Sequence, residues 1–138
     1  MLLADHAQVA DGKLFISGGG WAYCSPGAVP CAVALLFHVP WQRTNEKIPF
    51  ALRLVDEDGH PVPQPGPGST RHVGLTGELE AGRPAGMPPG TETNVPIAFN
   101  VVLTLPPLGR FTWILEADGH TDDSWRLSFA TRSHSPER

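Results

Sequence analysis

Residues 95–105 alternate with a period of two, and that alternation constrains the fold more than any other feature of the chain. Val95, Ile97, Phe99, Val101, Leu103 and Leu105 fall on one side of an extended backbone, and Ala98, Asn100, Val102 and Thr104 on the other. A helix would scatter these residues around its axis, so the segment is read as a half-buried strand. After Pro106-Pro107-Leu108-Gly109 the pattern resumes, with Phe111, Trp113 and Leu115 alternating against Arg110, Thr112 and Glu116. The short Pro/Gly connector makes the two segments a hairpin. A second turn through Asp118-Gly119 leads to Trp125, Leu127 and Phe129 on the same period.

The earlier half follows the same rule. A strand across Leu2 to Val9 precedes the turn Asp11-Gly12, and a second runs from Lys13 to Gly18. Cys31 to Val39 is apolar at nearly every position, which predicts a strand covered on both faces. Phe50 to Val55 alternates and ends at Asp56-Glu57-Asp58-Gly59, and a weaker strand falls within 71–80. No amphipathic helix is legible. About eight strands with turn signals between them predict an all-β, antiparallel sandwich, jelly-roll-like or immunoglobulin-like, formed by residues 1–138 as one domain with a frayed tail from 133. The loops 60–70 and 82–96 are too rich in proline for a central ladder.

Composition removes several function classes. Charged residues are 17% of the chain, below the usual ~25%. Lys and Arg number 10 against 14 acidic residues, and they form no basic stripe of the kind that nucleic acid requires. No apolar run approaches the ~18 residues of a membrane span. The opening Met1-Leu2-Leu3-Ala4-Asp5 lacks the features of a signal peptide, so a cytoplasmic setting with reduced thiols is expected. Cys24 and Cys31 are read as free thiols, although the loop between them could close as a disulfide.

Sites are sparse. Asp56, Glu57 and Asp58 form one acidic turn and Asp118, Asp122 and Asp123 another. Strand parity places these turns at opposite ends, so no shared calcium site and no other metal or cofactor is expected. The six histidines include no pair at i, i+2 on a strand. No Gly-x-Ser-x-Gly elbow or activated thiolate is present, which leaves an enzyme as the weakest reading. Trp113 and Trp125 sit on the apolar phase of their strands and are assigned to the core. Trp21 and Trp41 flank loops and, with Gly19 and Gly20, are the candidate ligand contacts. The glycine run 18–20 is read first as a backbone corner.

The segment Ala4-Asp5-His6-Ala7-Gln8-Val9-Ala10-Asp11-Gly12-Lys13-Leu14, the run Gly18-Gly19-Gly20-Trp21 and the later Leu105-Pro-Pro-Leu-Gly-Arg-Phe111 carry a resemblance. They resemble a family of short bacterial proteins of unknown function that share these signatures over most of their length. The resemblance implies a shared β fold and carries no catalytic residue, cofactor or activity. The Ala/Gly/Pro bias and the preference for Arg over Lys agree with a bacterial or phage source. The expectation for function is a non-catalytic protein-interaction module that self-associates, because the doubly apolar strand 31–39 needs two covers. The alternative is a small-ligand or carbohydrate-binding module built on Trp21 and Trp41.

Overall fold

A computed structural model describes residues 1–64 and 71–133. Its strands are β1 (Leu2–Ala4), β2 (His6–Ala10), β3 (Lys13–Ser17), β4 (Tyr23–Cys24), β5 (Gly27–Val39), β6 (Ile48–Asp56), β7 (Pro63–Gln64), β8 (Arg71–His72), β9 (Gly74–Leu79), β10 (Thr93–Leu105), β11 (Arg110–Ala117) and β12 (Arg126–Thr131). Single 3-10 turns occupy Trp41–Arg43 and Asp123–Trp125. A three-stranded sheet, ordered β1-β5-β10, faces a five-stranded sheet, ordered β4-β12-β11-β6-β9. The all-β sandwich read from the alternation is the fold. All pairings are antiparallel except the short one between β4 and β12.

Several boundaries differ from the sequence reading, each for a local reason. The strand expected across Leu2 to Val9 breaks at Asp5, whose N–H donates to the carbonyls of Ser17 (3.1 Å) and Gly18 (3.2 Å). The break sends β1 into the three-stranded sheet and β2 into a separate hairpin with β3. β5 begins at Gly27, ahead of Cys31, and contains Pro30. β1 covers only Ala32 to Ala34, so the missing N–H of Pro30 interrupts no ladder. β10 starts at Thr93 and takes in Pro96, which belongs to the segment read as a loop. Part of the other loop is strand as well: Pro63–Gln64 pairs with Arg71–His72, and Val62 is buried. The central part of that loop and the tail beyond residue 133 lie outside the described residues.

The core lies between the sheets. β5 contributes Cys31, Val33 and Leu35, β6 contributes Ile48, Phe50, Leu52 and Leu54, and β11 contributes Phe111, Trp113 and Leu115. Trp113 has 0% exposure and meets Phe99 edge-on, ring centroids 5.9 Å apart. The opposite face of the three-stranded sheet carries a different kind of packing. Ala4, Ala7, Ala32 and Ala34 are all buried there, with Leu14 and Ala98 against them. Side chains no larger than a methyl let the hairpin β2–β3 lie directly on β5. The second cover that strand 31–39 requires is therefore supplied by this chain over Ala32 to Ala34. Leu36 and His38, further along, remain exposed.

Candidate functional site

β10 is an edge strand thirteen residues long. Among the described residues its one ladder partner is β5, with the register unbroken from Thr93↔Val39 to Leu105↔Gly27. The orientation of its free groups follows from one contact. The N–H of Thr104 donates to Gln64 Oε1 (2.8 Å), and Gln64 Nε2 donates to the Thr104 carbonyl (3.2 Å). Thr104 therefore turns its backbone away from β5, and by alternation so do Val102, Asn100, Ala98 and Pro96. Pro96 has no N–H to lose at an outward position. Among the described residues, no backbone group bonds to the outer edge at Ala98, Asn100 or Val102.

Edge strands are usually blunted by charge, bulges or short length. β10 has no bulge and no charged residue among TNVPIAFNVVLTL, leaving Pro96 and the Gln64 amide as its only guards. Its core-facing row is also incompletely covered. Leu103 and Leu105 are buried, yet Val95, Ile97, Phe99 and Val101 stay only half-buried. On the other face Val102 is 63% exposed. The strand presents unmade backbone hydrogen bonds together with uncovered apolar surface on both faces.

The hairpin β2–β3 adds a roof. Ala4 pairs with Ala32, and Ala32 pairs with Asn100, so these residues form one row across the sheet. Three residues after Ala4, the Ala7 N–H donates to Asn100 Oδ1 (3.1 Å) and Asn100 Nδ2 donates to the Ala7 carbonyl (2.7 Å). Between residues 4 and 7 the chain thus crosses from one edge of the sheet to the other. Leu14 and Ala98 both pack against the alanine cluster, and Val9, the cross-strand neighbour of Leu14, is 43% exposed.

A second feature is an apolar cleft of about 560 Å³ at the Val39 end of the sandwich. Leu35, Phe37, Val39, Ile48, Leu115 and Trp125 line it. Arg43 closes its rim through ion pairs with Glu46 (3.2 Å) and Asp118 (3.1 Å), and these partners raise the guanidinium pKa further. Trp125, assigned to the core from its phase, is half-buried in the 3-10 turn ahead of β12 and forms part of this wall.

The residues singled out in the sequence are dispersed. Trp21 packs edge-on against Phe129 (5.5 Å) near the Thr131 end of β12, and its Nε1 is buried without a hydrogen-bond partner. Trp41 lies beyond Val39 at the opposite end, beneath the Arg83 guanidinium (3.9 Å to the ring centroid). The two rings form no common platform. Gly19 and Gly20 belong to a corner: Gly20 N–H donates to the Leu3 carbonyl (2.7 Å), and Gly18 and Gly20 have φ of +62° and +91°. A Cβ on Gly18 would overlap the Asp5 carboxylate, and one on Gly19 would press on Ile16 and Leu2.

The remaining polar clusters are turn chemistry. Asp56 Oδ1 accepts the N–H groups of Asp58 and His60, both at 2.9 Å. Asp56, Asp58 and His60 bring one ligand atom each within 4.8 Å of one another. Asp56 lies beside Phe111, whereas Asp118 follows Ala117, so the two acidic turns do sit at opposite ends. Asp122 caps the turn before β12, and its bonds to Ser124 lower its pKa. Cys24 and Cys31 are free thiols. Burial pushes the Cys31 thiol up to about 11, opposed by the nearby Trp113 indole, and burial also raises Cys24.

The β10 edge was not picked out in the sequence. Its one signal is the absence of any charge over thirteen residues, which reads equally well as a central strand. Among the described residues, no helix is long and apolar enough to cross a membrane. No curated protein and no solved structure matches the chain. The model of DUF6941, a family of unknown function, matches residues 1–130, and the chain belongs to that family.

Proposed function

We propose that this protein is a non-catalytic protein-interaction module whose docking element is the outer edge of β10, which takes an added β-strand. One observation carries the reading: among the described residues, a regular, uncharged strand of thirteen residues has a ladder partner on one side only. Strand addition supplies backbone hydrogen bonds for affinity and alternate side-chain contacts for selectivity. The half-buried row Val95, Ile97, Phe99 and Val101 would be covered by the incoming strand. A bacterial cytoplasmic setting belongs to this reading, favoured by two free thiols and by the Ala/Gly/Pro-rich composition.

The test is an amide-resolved NMR titration with a short, uncharged peptide of alternating valine and threonine. Shift changes and slowed hydrogen exchange at Ala98, Asn100 and Val102 are expected. Perturbations confined to other strands, or none at all, would overturn the assignment. The cleft favours a second reading, a small apolar ligand beside Trp125. Saturable quenching of tryptophan fluorescence by an apolar probe, lost in Trp125→Leu, is its signature.

A further inference from the structure

We propose that the strand taken by this edge is β10 of a second copy of the chain, paired antiparallel about a two-fold axis at Val101. The inference rests on the reading of β10 as an interaction edge and adds the partner and the register. With the axis at Val101, each Asn100 faces the second copy's Val102, and each Ala98 faces its Thr104. These are outward-facing positions on both strands, as hydrogen-bonded antiparallel pairs require. The two Asn100–Val102 pairs exchange two bonds each, about four in all. Pro96, which has no N–H, falls opposite Pro106 and outside the ladder.

Side chains agree with that register. On the core side Val101 meets its own copy and Phe99 meets Leu103, so a half-buried apolar row is closed by apolar residues. No charge occurs between Thr93 and Leu105, so self-pairing places no like charges opposite each other. The hairpin selects among the possible axes. It stands over Ala98 and Asn100, and an axis at Phe99 or Asn100 would bring two hairpins into the same space. An axis at Val101 separates them by four residues of strand, about 13 Å at ~3.3 Å per residue.

Gln64 sets the extent of the pairing. Its primary amide holds both backbone groups of Thr104 as an incoming peptide would. The Ala98–Thr104 pairs form only when Gln64 lets go, so this side chain competes with the second copy.

Sedimentation equilibrium of the full chain tests the proposal with three proteins. The wild type is expected to dimerise. Val102→Pro is expected to be monomeric with an unchanged circular-dichroism spectrum, because the N–H it removes faces away from β5, as the ring of Pro96 does. Gln64→Ala is expected to dimerise about tenfold more tightly, from the release of Thr104. Should Val102→Pro fail to fold, Val102→Lys weakens the same contact through an exposed position. A wild-type dimer untouched by both Val102 variants would overturn the proposal, as would an unchanged dissociation constant in Gln64→Ala. Wild type and Gln64→Ala both monomeric up to about 1 mM would also overturn it. In that last case, binding of the valine–threonine peptide at Ala98, Asn100 and Val102 would leave the strand-docking reading standing.

Discussion

The Thr131 hydroxyl fastens the turn between β10 and β11 from a third strand. It accepts the Gly109 N–H (2.7 Å) and donates to the Pro106 carbonyl (2.7 Å), while the Thr131 N–H donates to the Gly109 carbonyl (2.9 Å). At 4% exposure it has little water to fall back on. Thr131→Val keeps the shape and leaves the Gly109 N–H unpaired, at an expected cost of about 1–3 kcal/mol in urea unfolding. By comparison, the exposed Arg53–Glu116 pair (2.9 Å) contributes well under about 1 kcal/mol. The cysteines give a pH signature. The folded state holds the Cys31 proton up to about 11 against an ordinary 9.0, so the unfolded chain releases it first as pH rises. This thiol's contribution to stability is flat below about pH 9 and falls between 9 and 11. Cys31→Ala should reduce that decline in pH-dependent unfolding, and thiol labelling of the native protein should modify half-buried Cys24 before Cys31.

At the scale of elements, Asn100 is the residue on which the hairpin depends. Its amide reads both backbone groups of Ala7, replacing the ladder that β2 cannot make with the strands it crosses. Asn100→Ala should loosen β2–β3, seen as faster hydrogen exchange from Ala7 to Ser17 and a loss of about 1–2 kcal/mol. Asn100→Asp should be worse than alanine, because an oxygen then faces the Ala7 carbonyl. Gly74 has a separate constraint. A Cβ there would lie 2.8 Å from the Leu52 carbonyl oxygen, so Gly74→Ala should displace β9 from β6 and lower the melting temperature. Strands with strict alternation, such as Phe50 to Leu54, were legible because one face is buried and the other is more exposed. The short pieces were not. β4 and β7 have two residues each and owe their strand geometry to neighbours distant in sequence. The break at Asp5 was hidden because alternation persists through it while the sheet changes.

For the whole molecule, the sequence reading of two covers for residues 31–39 holds over Ala32 to Ala34 and fails at Leu36 and His38, which are exposed, and the identity of the outer cover was out of reach. Four alanines distributed over residues 4–34 reveal a close seam only when the topology stacks them. The candidate edge was equally hidden, since a strand with one neighbour and a strand with two can share one composition. If two copies pair along β10, the interface contains no ion pair. Its dissociation constant should hold steady from low salt to about 1 M, and a steep salt dependence would point to the charged rim near Arg43 instead.

The contact between Ala7 and Asn100 spans 93 residues. During synthesis the hairpin emerges long before β10, so its landing site is unfinished until β10 has followed. Until then the alanine face of β5 stays open, and the glycine corner and the N-terminal ribbon have nowhere to settle. The hairpin is thus made well before the strand that places it. Slowing or truncating synthesis before residue 100 should leave the N-terminal ribbon protease-sensitive, even where β5 is already complete.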